Sequence, residues 1–227
     1  MHRHHPLQFT QYSLDEMRER AKQFYVQMQQ RRSVRAFSSQ PVSRDLIEQA
    51  ILTAGTAPSG AHRQPWHFVA VSGSEIQSQI RSAAEKEERE SYERRMPKQW
   101  LDALDPIGTD WRKPYLEIAP WLVVCFAKNT GDGGVKNYYV QESCGIACGF
   151  FIAAIHNLGL VTLTHTPSPM RFLGEILGRP KNERPYILFP VGYPAEDATV
   201  PDLKRKSQNQ FVTWLEGNKQ NGGNFTV

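Results

Sequence analysis

No apolar run in the sequence is long enough to cross a membrane. Residues 118–127, among the longest, contain Pro120 and fall well short of the ~20 residues that a spanning helix requires. No apolar stretch follows the charges of the N-terminus, so no secretory signal is expected. Cysteine is scarce: the three present close no disulfide set, and Cys144 and Cys148 fall in an apolar, helical stretch. A reducing cytoplasm is the expected compartment. Charge of one sign is lacking too. Lys and Arg number 27 against 23 Asp and Glu, a net +4, and the basic residues are scattered without a nucleic-acid recognition module. There is no Gly-rich dinucleotide fingerprint and no Walker loop, so a tightly held nicotinamide or P-loop nucleotide is not expected. The absence of Gly-x-Ser-x-Gly, His-Glu-x-x-His and Cys-x-x-Cys argues against a serine-hydrolase elbow and a zinc centre.

What is present suits a folded domain, since 40% apolar and 11% aromatic residues over 227 positions bury a core and exclude general disorder. Residues 1–12, with His2, His4 and His5, read as a flexible tail. Ser13-Leu-Asp-Glu16 reads as a capping box opening a helix to Gln30, in which Met17, Phe24, Val26 and Met28 recur irregularly. A second cap at Ser43 precedes a helical face of Leu46, Ile47, Ala50, Ile51 and Ala54. Trp66–Val71 alternates as a strand, and residues 76–95 read as a helix with a dense charge block at 85–90. Pro97 ends that helix, and a Trp-rich connector leads to Tyr115. A strand over 120–127, a turn at 131–134, and a small-residue helix over 138–158 follow. Two further strands are expected at 161–164 and 186–191. After Pro194 apolar periodicity is sparse, so residues 194–227 read as an extended arm that needs another surface. Helices interleaved with about four strands give one α+β domain over 13–227.

The strongest local signal for chemistry is Arg31-Arg32-Ser33-Val34-Arg35. In an extended segment Arg31, Ser33 and Arg35 share one side, and their forked donors and hydroxyl suit a phosphate. A surface charge patch closing a helix is the plainer alternative. The small residues of the loop 56–62 would admit a flat ligand, or make an ordinary turn. Glu88 and Tyr92, four apart, share a helical face and could grip an ammonium and a carboxylate, or be solvated. Lys113 is ambiguous alone. His62, His156 and His165 are candidate bases or packed histidines, and the cysteines read as small core residues. Unaided, the residues point to a phosphate-bearing ligand.

Arg31-Arg-Ser-Val-Arg35, followed by Thr53-Ala-Gly-Thr-Ala-Pro-Ser-Gly-Ala-His62 and Gln64-Pro-Trp66, resembles the nitroreductase superfamily of FMN-dependent flavoproteins. The likeness continues through Glu88, Tyr92 and residues 111–116, then Ser143-Cys-Gly-Ile-Ala-Cys-Gly149 and Leu160-Val-Thr-Leu-Thr164. It ends with Leu177-Gly-Arg-Pro180, Pro190-Val-Gly-Tyr-Pro194 and residues 198–206. Within the superfamily it is similar to the soluble, bacterial-type branch that deiodinates iodotyrosine.

The resemblance implies a nitroreductase-like α+β fold, with a central mixed sheet flanked by helices. It implies a homodimer, with FMN between subunits and the C-terminal arm wrapping the partner. Arg31, Ser33 and Arg205 would hold the FMN phosphate, with Arg32 and Val34 in the same segment and Arg35 toward the flavin N1/C2 side. Pro58, Ser59 and Gly60 would come from the other subunit. Thr164, His165 and Thr166 would lie beside flavin N5, with Thr166 the catalytic hydroxyl. A lid over about 85–115 would supply Glu88 for a substrate ammonium, and Tyr92 and Lys113 for its carboxylate. The Ala61 amide would meet the phenolate. The implied activity is reductive dehalogenation of halogenated tyrosines, with NADPH or NADH reducing the FMN directly or through a partner reductase. A broad-specificity nitroreductase or quinone reductase is the other reading. Two departures stand out: no N-terminal membrane anchor of the animal kind is expected, and His165 replaces a common threonine in a segment shortened over 167–172. Neither nucleic acid nor membrane is an expected partner.

Overall fold

The computed structural model describes residues 4–215. Residues 1–3, including His2 of the tail, and residues 216–227 of the expected arm lie outside the described residues. Four strands form one sheet: β1 (Trp66–Val71), β2 (Trp121–Lys128), β3 (Val161–Thr162) and β4 (Glu183–Gly192), in the order β1-β2-β4-β3. The expected mixed sheet is corrected, because every pairing between these strands is antiparallel. Among the described residues a parallel contact survives only as an isolated bridge from Ser33 to Thr162, where the Val34 amide donates to the Thr162 carbonyl at 3.2 Å. The chain then turns away to bridge Phe37 with Pro194, so no parallel ladder develops beside β3.

The centre of the sheet explains its own sequence. Residues of β2 from Leu122 to Ala127 are buried on both faces and read as an unbroken apolar run. With the two-residue strand period, Val123, Cys125 and Ala127 meet helices α2 (Arg44–Gly55) and α6 (Val140–Asn157). Leu122, Val124 and Phe126 face the other layer, with Ile80 and Ala84 of α3 (Ser74–Glu90), Leu116 of α5 (Tyr115–Ile118) and Leu173 of α7 (Arg171–Ile176). The close crossing of β4 and the start of β2 needs Gly192, where an added Cβ would lie 2.6 Å from Pro120 Cδ.

Helix α1 (Leu14–Gln30) buries none of its side chains, and Met17, Phe24 and Tyr25 are exposed. Half of its expected capping box forms: the Glu16 amide donates to Ser13 Oγ at 3.3 Å, while the Glu16 carboxylate accepts from Arg20 instead. Ser43 caps no helix amide, because its hydroxyl donates to the nearby Asp45 carboxylate. The connector after Pro97 is more ordered than expected. It holds α4 (Lys98–Leu104) and a 3-10 turn at Asp105–Ile107. Beyond α3 the chain winds into one π-helical turn, Ser91–Arg95. Such turns recur where a helix must re-aim side chains at a functional site.

Candidate active site

The end of α3, the turn after it and the approach to α5 converge on one cavity of about 370 Å³. Glu88 enters from α3, Tyr92 from the π-helical turn and Lys113 from the segment before α5. Their placement follows from a charged network along the same face of α3 as Glu88. Arg81 pairs with Glu85 at 2.8 Å and with Glu117 of α5 at 2.6 Å, while the Glu85 carboxylate accepts the Lys113 amide at 2.7 Å. Glu85 of the charge block therefore ties α3 to the segment before α5, while Lys86 and Arg89 face solvent as expected.

Glu88 and Lys113 lie 3.7 Å apart with side chains only 10% and 4% exposed, an ion pair too long to be a hydrogen bond. Burial raises the Glu88 carboxyl above its usual range, and the Lys113 charge opposes it. Burial lowers the Lys113 ammonium, with Glu88 opposing. Lys113 Nζ donates to Thr109 Oγ1 at 3.3 Å and to the Asp110 carbonyl, and sits 5.5 Å from the Tyr92 ring centre. The Tyr92 hydroxyl donates to the Thr109 carbonyl at 3.3 Å, and its phenol is raised by burial first and by Glu88 second.

Arg35, Tyr115, Thr164, His165 and Thr166 line the same cavity. Thr164 and Thr166 are exposed and His165 between them is buried, as alternation along an extended segment requires. The His165 backbone exchanges two hydrogen bonds with Leu188, at 2.8 and 3.1 Å. Its Nδ1 lies 3.3 Å from the Tyr115 hydroxyl, and Nε2 has no hydrogen-bond partner. Burial first, then the charges of Lys113 and Arg35, push the imidazole down to about 3, so it is neutral near pH 7.

Arg35 also lines an adjoining cavity of about 230 Å³, together with Arg31, Arg32, Ser33, Lys204 and Arg205. Arg205 donates to the Gln29 carbonyl at 2.9 Å and the Arg31 carbonyl at 2.6 Å, and Arg32 donates to the Pro201 carbonyl. The Arg31 guanidinium is lowered by burial and by the neighbouring Arg205 and Arg32 charges. Among the described residues no carboxylate lines this cavity. Packed cations and a free hydroxyl without a counter-charge are what a phosphate group needs.

The remaining candidates lie elsewhere in the chain. The Val34 side chain is buried but lines neither cavity, and its amide is taken by Thr162. Pro58, Ser59, Gly60 and Ala61 line neither cavity of this chain. Ala61, His62 and Gln64 adopt left-handed backbone angles, a non-glycine strain of the kind found at functional loops. An added Cβ at Gly60 would come within 3.0 Å of the Tyr139 ring. His62 is exposed against Gln64, and His156 bonds the Gln27 carbonyl at 2.7 Å, so neither enters the cavity. Sequence reasoning missed Arg81 and Glu85, although their spacing of four on α3 was a usable signal. Tyr115 and Thr109 carried no such signal.

Among the described residues, no cluster of three or more His, Cys, Asp or Glu side chains is arranged for a metal, and no helix is long and apolar enough to cross a membrane. A four-stranded antiparallel sheet between two helical layers, with an arginine-lined cavity adjoining the one lined by Glu88, Tyr92 and Lys113, defines a flavoprotein-like reductase class. Residues 28–193 match the nitroreductase family, and the chain belongs to that family. It is 58% identical over 207 residues to the iodotyrosine deiodinase of Haliscomenobacter hydrossis, covering 89% of this chain and 93% of that one. It is 45% identical over 216 residues to the iodotyrosine deiodinase of Danio rerio, covering 92% of this chain and 72% of the relative. A crystal structure of oxidized iodotyrosine deiodinase bound to FMN and 3-iodo-L-tyrosine aligns with a TM-score of 0.72 and 28% identity, covering 84% of this chain and all of that one.

Proposed function

We propose that the protein is an FMN-dependent oxidoreductase that reductively dehalogenates halogenated tyrosines such as 3-iodotyrosine, giving tyrosine and halide. The observation that carries this reading is the buried Glu88–Lys113 pair with Tyr92 beside it, closed over a cavity that Arg35 and Thr164–Thr166 also line. An amino-acid zwitterion matches that pair charge for charge. Its ammonium takes Glu88, and its carboxylate takes Lys113 and Tyr92, so each buried ion gains a closer partner. Seating the zwitterion under the lid expels water from the aromatic end of the substrate. Binding energy gathered at the amino-acid end thereby orients the reacting ring.

The adjoining cation cluster fits FMN, with Arg31, Arg32, Ser33 and Arg205 on the phosphate and Arg35 reaching toward the ring system. FMN, when bound and reduced, supplies the two electrons that, with a proton, replace carbon–iodine by carbon–hydrogen and release iodide. The Thr166 hydroxyl is exposed on the cavity side and would donate to the flavin edge, while His165 supports it from within the wall. The helix α1, bare of buried side chains, and the exposed Phe211 and Trp214 support a homodimer whose arm covers the partner. In that dimer Pro58–Gly60 would come from the second subunit, and the Ala61 amide would meet the phenolate. Reduction by NADPH or NADH and a cytoplasmic location complete the reading.

The test is a titration of the FMN-loaded protein with 3-iodotyrosine, followed by quenching of flavin fluorescence, with 4-nitrophenol as the control ligand. Tight quenching that disappears in a Glu88→Gln/Lys113→Ala variant supports the zwitterion grip. Weak quenching by iodotyrosine beside good binding of the nitrophenol transfers the reading to a permissive nitroreductase.

A further inference from the structure

Two walls of the lidded cavity are joined by hydrogen bonds that the ligand grip does not require. The π-helical turn reaches across to the segment that follows Thr164–Thr166. Arg95 Nη1 donates to the Ser168 carbonyl at 3.1 Å, and Ser91 Oγ donates to the same carbonyl at 3.3 Å. The other end of the Arg95 fork holds the Glu87 carboxylate at 2.7 Å, back on α3. Glu87 precedes Glu88, and Ser91 precedes Tyr92. The residues that would grip a zwitterion therefore alternate with residues that hold Ser168, two positions beyond Thr166. On its other side this segment is fixed to β4 by the two His165–Leu188 bonds. A pull from the lid is accordingly borne by the short stretch from Thr166 to Ser168, not by the sheet.

We propose that Arg95 is a positioning residue that couples seating of the substrate's amino-acid end to placement of the Thr166 hydroxyl. Ser91 serves as its second tether. One carbonyl accepts from both, and one guanidinium spans α3 and the 164–168 segment, so lid and wall move together. The inference rests on the dehalogenase reading above. Arg95 touches neither the ligand grip nor the reacting atoms.

The experiment compares the FMN-loaded parent with Arg95→Ala, Ser91→Ala and Arg95→Lys. Hydrogen exchange is measured with and without saturating 3-iodotyrosine, alongside Kd and kcat. In the parent, ligand is expected to protect peptides 85–95 and 166–172 together. In Arg95→Ala it should still protect 85–95 but no longer 166–172. There kcat should fall about tenfold while Kd changes less than about threefold, the split that marks loss of positioning rather than of binding. Arg95→Lys, which keeps the charge but not the fork, should recover part of both effects, and Ser91→Ala should show them more weakly. If Arg95→Ala keeps ligand protection of 166–172, or if Kd worsens as much as kcat falls, the coupling is refuted. If the parent shows no protection of 85–95 and no quenching by iodotyrosine, the dehalogenase reading itself fails, and this inference with it.

Discussion

Glu88→Gln isolates the charge on which the proposed substrate grip depends. The carboxylate and Lys113 ammonium are both buried and lie 3.7 Å apart. Removing one partner of a buried pair costs about 3–5 kcal/mol when the surviving ion is stranded. Lys113 is not wholly stranded, because Thr109 Oγ1 and the Asp110 carbonyl still accept from it. A loss of about 2 kcal/mol in unfolding free energy is therefore expected for Glu88→Gln, and less for Glu88→Gln/Lys113→Met, which buries no lone charge. Ligand binding should suffer separately. Losing the carboxylate partner of the ammonium removes a charge-assisted bond of about 1.5–3 kcal/mol, or about 10–150-fold in Kd for 3-iodotyrosine. Urea unfolding of the FMN-loaded protein and flavin-fluorescence titration read the two effects. Because the pair is shielded from solvent, added salt should change neither much. Strictly additive losses in the double variant would refute the pairing, and an unchanged Kd in Glu88→Gln would refute the grip.

The remaining predictions follow from separate features. Since burial holds the Glu88 carboxyl above the ordinary carboxylate range, halotyrosine affinity should fall with acidification while the pH is still above that range, measured by titrations across about pH 5 to 8. His165 is depressed to about 3, so the folded state refuses a proton that the unfolded chain accepts. Its contribution to stability is complete above about pH 6.5 and is lost as the pH falls toward 3; unfolding of His165→Gln at several pH values should show a shallower acid decline. Arg205→Ala should weaken FMN retention about tenfold or more in dialysis, since it removes a cation and the brace on the Arg31 carbonyl. Gly192→Ala forces a methyl against Pro120 and should cost about 1–3 kcal/mol in thermal unfolding.

Much of this architecture was legible because single elements carry single signals. The apolar run of β2, the alternation of Trp66–Val71 and the small-residue pattern of α6 each predict the element found. Direction of strand pairing was not legible: the resemblance implied a mixed sheet, and among the described residues the Ser33–Thr162 bridge supplies the lone parallel contact beside the four strands. Ser43 looked like a cap, but local competition from Asp45 decides where its hydroxyl points. The arginine cluster was readable up to Arg35 because those residues are contiguous. Arg205 joins it across 174 positions of sequence through the Arg31 carbonyl, and only the resemblance placed it there. Tyr115 and the Ser168 carbonyl take part through backbone and tertiary geometry, which leaves no periodic trace.

Cys125 on the central strand and Cys144 and Cys148 on α6 are free and almost completely enclosed, on facing sides of the layer between β2 and α6. Neighbouring Cys144 and Cys148 and its own burial hold the Cys125 thiol well above its ordinary range, so the reactive thiolate is suppressed as well as shielded. The native chain thus carries its own clock. A thiol reagent in solution can label Cys125 only when sheet and helix part, and the labelling rate reads the free energy of that parting. Simultaneous modification of all three sulfurs would mean that this layer opens as one cooperative unit. Earlier labelling at Cys148 would mean that α6 loosens while the sheet holds.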